Sequence, residues 1–266
     1  MSNEPCFIIA EAGSNHCGKI DLAYDLIEVA SNAGADAVKF QLFDEKLYPK
    51  GSRASKEIAK WKMPENWIPS LFDYCKKYNI EFIATPFNNK AVDELYPYVK
   101  RFKVASFEIT NLDLLDKISK TKKPVILSTG IATYEEIKNA CDMFGDYSLL
   151  HCVSDYPADY KDTNLLVMND LKMKFHCKVG FSDHTLGIEA SIAAVALGAE
   201  IIEKHFKLDK QPYSPDAEFA IDPKMLNSMV KGIRNVQKML GDKRYISDLR
   251  KLRSQKVGDQ FMRVAD

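Results

Sequence analysis

Eight short apolar runs, each followed by an amphipathic stretch, constrain this chain more than any other feature. Strands are expected at Phe7–Glu11, Ala37–Gln41, Phe82–Thr85, Phe102–Ser106, Val125–Ser128, Ser148–His151, Val179–Ser182 and Ile201–His205. Helices are expected over Leu22–Ala33, Trp67–Tyr78, Lys90–Tyr96, Leu112–Ser119, Tyr134–Phe144, a weaker Asn164–Met173, Leu186–Leu197 and Pro223–Leu240. Leu22, Leu26, Val29 and Ala30 give the one-sided face of a helix laid on a sheet. Gly34 and Gly198 fall where a left-handed C-cap is needed. Thr133 with Glu136 reads as a capping box, and Asp222 before Pro223 as an N-cap and first helical position. Strand and helix alternating eight times predict an α/β fold of the (β/α)8 TIM-barrel type. The alternative is a doubly wound open sheet, which usually has fewer strands. No GxGxxG or GxxxxGK[ST] loop supports a Rossmann or P-loop arrangement. Residues 1–241 form one expected barrel domain, and 242–266 a polar, basic tail.

Lys178–His205 carries the most chemistry. A strand ending in Ser182-Asp183-His184, an apolar helix closed by Gly198, and a strand ending in His205 make a βαβ unit. Such units bring parallel strand ends side by side, so two imidazoles can converge on one point. Two histidines are too few for a zinc site. They fit a looser octahedral ion, Mn²⁺ or Mg²⁺, completed by water and substrate oxygens.

In a barrel of this class the active site is built from the C-terminal strand ends. Those ends carry Glu11, Lys39 and Gln41, Thr85, Lys103 and Ser106, Ser128, His151 with Ser154 beyond, His184 and His205. Lys39 lies between Val38 and Phe40, and Lys103 between Phe102 and Val104, so alternation points both ammonium groups inward. They are either structural ions paired with Glu11 or Glu108, or half of an anion site. With hydroxyls from Thr85, Ser106, Ser128 and Ser182 they suit a phosphate and a carboxylate together. His16 either orients a substrate or caps the first loop; His151 is read as structural and His176 as exposed.

Lys+Arg and Asp+Glu balance at 37 each, so no net field recruits nucleic acid or an anionic membrane. No apolar run reaches the roughly 18–20 residues of a membrane span. The N-terminal MSNEPCFIIAEAG lacks a basic segment ahead of its short apolar run. The six cysteines are scattered without a CxxC, as in a cytoplasmic protein with reduced, mostly buried thiols. Cys152, near a strand end, is read as a small core residue rather than a nucleophile.

The motifs IAEAGSNHCGKIDLA, GADAVKFQ, FIATPFN, FKVASFEITNLDLL, KPVILSTG, LLHCVSDYP and GFSDHTLG…ALGAEIIEKHF together resemble the sialic acid synthase family. The resemblance runs from about Phe7 to Leu240. It implies a barrel enzyme that condenses phosphoenolpyruvate with an N-acylated amino sugar to give a nonulosonic acid and phosphate. It assigns His184 and His205 to the divalent ion, with Glu203 reaching it through water. Glu11 would meet the sugar aldehyde. Lys39, Thr85, Lys103, Ser106, Ser128 and Ser182 would hold phosphoenolpyruvate, and Gln41, Tyr156 and Asp216 the sugar. Ser154, also expected at the substrate, replaces an Asn common in the family. Phe107 stands where the family's GSGE motif has a glycine.

The chain reaches Asp266 without the small antifreeze-like domain into which family members continue. That domain, swapped between protomers, supplies an Arg for the N-acyl group. The expectation is therefore a homodimer or a partner chain completing the sugar pocket, or a sugar other than N-acetylmannosamine. Two other functional classes stay open on sequence. One is a Schiff-base aldolase or lyase using Lys39 or Lys103. The other is a subunit active only with its partner.

Overall fold

A computed structural model describes residues 4–43, 52 and 59–241; the expected tail, 242–266, lies outside them. The strands are β1 (Phe7–Glu11), β2 (Ala37–Leu42), β3 (Glu81–Pro86), β4 (Phe102–Val104), β5 (Val125–Ser128), β6 (Tyr147–Cys152), β7 (Lys178–Asp183) and β8 (Ile201–His205). The helices are α1 (Ile20–Asn32), α2 (Ile68–Lys77), α3 (Asn89–Leu95), α4 (Leu112–Ser119), α5 (Tyr134–Cys141), α6 (Val167–Phe175), α7 (Glu189–Ala196) and α8 (Pro223–Leu240). Parallel ladders join the strands in the order β3-β2-β1-β8-β7-β6-β5-β4. Because β1 pairs with β8, the sheet curls round on itself, and the two ends, β3 and β4, lie side by side. This is the expected (β/α)8 barrel.

Strand alternation sorts the side chains into two cores. Val38, Phe40 and Leu42 face outward into the layer shared with the helices. Inside, Ile9, Ala37, Ile83, Ile126, Leu150 and Ile201 form a separate apolar cluster with Phe7 at its edge. Each Ile or Leu fully buried there is worth about 1.5–3 kcal/mol, so this plug closes the N-terminal half of the barrel. Two residues further along each strand the same inward positions become polar. That switch puts the chemistry at the C-terminal ends.

Local signals behave as their chemistry requires. Thr133 and Glu136 close a full capping box on α5, and Asp222 accepts from Met225 N at the start of α8. Gly34 and Gly198 have φ of +83° and +101°. Helix α8 buries Leu226, Met229, Val230 and Ile233 on one face and packs against α7. Strand four is shorter than expected: it ends at Val104, and Ser106–Glu108 turn as a 3-10 helix. Among the described residues no helix is long and apolar enough to cross a membrane.

Candidate active site

Above the apolar plug lies a layer of buried charge. Lys39 Nζ meets Glu11 Oε2 at 2.9 Å, Thr85 Oγ1 at 3.2 Å and Glu203 Oε2 at 3.6 Å. Lys103 Nζ donates to Ser128 Oγ at 2.7 Å and to Val104 O at 3.1 Å, and lies 3.8 Å from Glu203 Oε1. Both lysines therefore point inward, as alternation predicts. Of the two structural partners considered, Glu11 does pair with Lys39. Glu108 instead accepts from Asn111 Nδ2 at 2.7 Å.

The two carboxylates respond differently to one environment. Burial pushes both up. Glu203 lies between Lys103 and Lys39 and takes a bond from Ser182 Oγ at 3.0 Å, and these outweigh burial and hold it below its ordinary value. Glu11 has one lysine and feels the negative charge of Glu203, so burial wins and its pKa rises to about 7. Gln41 Nε2 donates to Glu11 Oε1 at 2.5 Å. Burial lowers both lysines, but Glu11 and Glu203 more than restore Lys39, whereas Lys103 stays lowered.

The two histidines meet at the rim, ring centroids 5.7 Å apart. Burial lowers the pKa of both, His205 the more, so both rings are neutral near pH 7. The tautomer of His184 follows from its neighbours. Nδ1 lies 2.7 Å from Val153 O, a group that only accepts, so Nδ1 carries the proton. The Nε2 lone pair then faces Ser182 Oγ at 3.4 Å, whose proton is committed to Glu203. His205 Nδ1 and Glu203 Oε2 are buried without a hydrogen-bond partner. A backbone carbonyl fixing one ring nitrogen and an open lone pair on the other is the arrangement metal-binding histidines use. Among the described residues no ready group of three or more His, Cys, Asp or Glu surrounds a point. Two imidazoles with Glu203 nearby could thus hold an ion that takes its other ligands from water and substrate.

The remaining expected residues gather around this centre. Ser106 Oγ accepts from Gly130 N at 3.0 Å and lies 3.1 Å from Cys152 Sγ. Ser154 Oγ is buried and unpaired, beside Gly130, where a Cβ would come within 2.4 Å of it. Tyr156 packs its ring on His184 at 4.2 Å and on Phe219 at 5.2 Å. Asp216 Oδ2 accepts from Ser14 N at 2.7 Å and sits 3.6 Å from His205 Nδ1. A Cβ on Gly13, whose φ is +50°, would fall 2.0 Å from that carboxylate, so glycine is required there. Gln41, Tyr156, His205 and Asp216 line a cavity of about 530 Å³ that opens at the barrel mouth.

One strand departs from expectation. His151 does not face the barrel: it points into the outer layer, stacks near Phe181, and bonds Thr163 O at 2.8 Å. The inward residue of β6 is Cys152, two positions beyond Leu150. Burial raises its thiol pKa, which is the opposite of an activated nucleophile. His16 caps the first loop, accepting from Gly18 N at 3.1 Å, with its ring against Trp67. His176 is exposed, at the left-handed C-cap of α6.

Sequence reasoning missed the backing of the two histidines. Asp183 and Lys204 are register partners on the outward faces of β7 and β8, fully buried and paired at 3.1 Å. Asp183 also accepts from Thr185 N, Thr185 Oγ1 and Ser191 Oγ, at 2.9, 2.7 and 2.6 Å. The signal was present in Asp183 next to His184 and Lys204 next to His205. Alternation puts Asp183 and Lys204 on the face opposite Ser182, His184, Glu203 and His205, so the period that selects the inward residues places this pair among outward positions that are otherwise apolar.

Comparison with known proteins bears on this geometry. The NeuB family model matches residues 26–245. An uncharacterized protein of Methanocaldococcus jannaschii is 45% identical, over 90% of this chain and 73% of its own length. The N,N'-diacetyllegionaminic acid synthase of Campylobacter jejuni is 42% identical, over 88% of this chain and 77% of its own. The crystal structure of N-acetylneuraminic acid synthetase from Leptospira borgpetersenii superposes with a TM-score of 0.90 at 36% identity, covering 96% of this chain and 93% of that one. With that match across most of its length, the chain belongs to the NeuB family.

Proposed function

We propose that this protein condenses phosphoenolpyruvate with an N-acylated amino sugar in its aldehyde form, giving a nonulosonic acid and inorganic phosphate. The observation that carries the reading is the pair of buried lysines, held by Glu11 and Glu203 directly beneath two neutral histidines. Such a cluster is costly to build in an apolar barrel, and an incoming anion offsets that cost. Support also comes from the synthases to which the chain is similar.

In this reading Lys39 and Lys103, with Thr85, Ser106, Ser128 and Ser182, bind the phosphate and carboxylate of phosphoenolpyruvate. They hold its methylene carbon toward the rim. Gln41, Tyr156, Asp216 and Ser154 orient the sugar so that its aldehyde carbon faces that methylene. His184 and His205 fit a divalent ion, Mn²⁺ or Mg²⁺, with Glu203 in reach through water; when bound, it would polarise the aldehyde as a Lewis acid. The methylene carbon forms the new C–C bond, and positive charge develops at the adjoining carbon. Water adds there, and phosphate leaves with cleavage of the C–O bond. Glu11, with its pKa near neutrality, supplies a proton to the oxygen that was the aldehyde.

The test is phosphate release from phosphoenolpyruvate with candidate aldoses, with product mass as the second readout. Release that needs the sugar, stops on chelation and is lost in His205→Ala supports the proposal; turnover indifferent to chelation sinks its metal-dependent form. A Schiff-base enzyme would instead trap a pyruvate adduct on Lys39 or Lys103 with borohydride.

A further inference from the structure

Just beyond the ends of β4, β5 and β6, three polar atoms close over Gly130. A Cβ on that residue would meet Ser154 Oγ at 2.4 Å, Cys152 Sγ at 2.6 Å and Ser106 Oγ at 3.1 Å, so glycine is what leaves them room. Gly130 N donates to Ser106 Oγ at 3.0 Å, and Cys152 Sγ lies 3.1 Å from the same oxygen. Ser154 Oγ is buried beside them with no partner. The charge of Lys103 acts on the Cys152 thiol, which places the cluster at the edge of the anion site. The condensation uses Ser106 and leaves Cys152 without a part.

Counting protons decides what Cys152 does. A hydroxyl has one proton and two acceptor lone pairs. Gly130 N fills one lone pair of Ser106, so Cys152 either fills the other or takes the proton. Burial holds the thiol in its protonated form, and among the described residues its proton has no acceptor but Ser106 Oγ. If Ser106 donated to the sulfur, the thiol proton would be stranded in a dry site and Ser106 would have nothing left to offer an anion. If the thiol donates, both lone pairs of Ser106 are filled and its own proton stays free for an anion. Sulfur is also a weak acceptor, so it competes poorly with an anionic oxygen for that proton. We infer that Cys152 is a positioning residue, whose thiol donates to Ser106 and so turns the Ser106 hydroxyl toward the anion held by Lys39 and Lys103. It acts through Ser106 and not on the substrate itself. The identity of that anion as phosphoenolpyruvate rests on the condensation reading.

Infrared spectroscopy of the full chain reads the thiol–serine bond without any ligand. The S–H stretch falls in a window clear of other protein bands, and the difference between the unaltered protein and Cys152→Ala isolates one thiol of the six. A donating thiol absorbs at lower frequency than a free one, so Ser106→Ala should move the band up. Adding phosphoenolpyruvate to the unaltered protein should move it further down, because a hydroxyl that donates to an anion accepts more strongly. A band at the free-thiol frequency, or one that Ser106→Ala leaves in place, overturns the inference. Calorimetric titration with phosphoenolpyruvate reads the consequence. Cys152→Ala should raise Kd about three- to tenfold. Cys152→Ser keeps a donor and should recover most of that loss. In a Ser106→Ala background, Cys152→Ala should add less than about twofold. Effects of the two substitutions that simply multiply overturn the positioning role, as does a Cys152→Ser protein no better than Cys152→Ala. If the unaltered protein binds no phosphoenolpyruvate while the band still answers to Ser106→Ala, the condensation reading falls. The same comparison of Kd with inorganic phosphate then decides the positioning role.

Discussion

Glu11 shows how much one side chain depends on what surrounds it. Its raised pKa comes from burial and from Glu203, against a single lysine. An anion placed on Lys39 and Lys103 adds negative charge nearby and must raise it further. Binding of phosphoenolpyruvate at pH 8, where its phosphate is fully ionised, should therefore be accompanied by proton uptake. Calorimetry in buffers of different ionisation enthalpy should register up to one proton, and Glu11→Gln should abolish it. Absence of uptake in the unaltered protein would show that Glu11 is already protonated or remains ionised throughout. If Glu11 acts as the acid, kcat falls as pH rises through its pKa in the bound complex. Glu11→Gln should lower kcat by about 10²–10⁴ and remove that limb. Lys103→Met should raise the KM for phosphoenolpyruvate at least tenfold, since it removes a charge-assisted contact to the anion and leaves Glu203 with only Lys39. At this scale the sequence was informative where alternation within a strand decided the answer, as for Lys39 and Lys103. It failed at β6, where a histidine was more conspicuous than the cysteine beside it, although the same alternation from Leu150 selects Cys152.

At the scale of elements, the ends of β7 and β8 are held from behind. The buried Asp183–Lys204 pair lies in register, one residue from each rim histidine. Lys204→Met leaves the Asp183 carboxylate uncompensated in a dry layer. That should cost about 3–5 kcal/mol, a fall in Tm of roughly 6–20 °C for a domain of this size. Pairing it with Asp183→Asn should recover much of the loss, because the unpaired charge is gone while an amide oxygen still accepts from Thr185 and the amide nitrogen can donate to Ser191. Thermal unfolding of the two variants checks this, and a Lys204→Met protein as stable as the parent contradicts it. Element boundaries were readable where a cap marks them: α5 begins at Tyr134 behind the Thr133–Glu136 capping box, and α8 at Pro223 behind Asp222. They drifted where the ends are unmarked, as in α5, which stops at Cys141 rather than Phe144. Strand four was overextended: its apolar–polar alternation over Phe102–Val104 breaks at Ala105, and there the backbone leaves the sheet to turn through Ser106–Glu108.

For the whole molecule, the barrel was legible because eight repeats of strand and helix leave few other closed solutions. The site was legible because that fold dictates where polar strand ends meet. The rest of the cavity lining was not: Phe43, Phe87, Phe107 and Phe219 also line it but come from four separate loops, and no spacing in the chain links them. The most direct measurement is phosphate release from phosphoenolpyruvate by the purified chain, with and without an N-acylated amino sugar, before and after chelation. Sugar-dependent release that yields a product heavier than the sugar by the pyruvate unit, and that returns when Mn²⁺ or Mg²⁺ is restored, is the expected result. Release without the sugar, or a borohydride-trapped pyruvate on Lys39 or Lys103, would contradict the account.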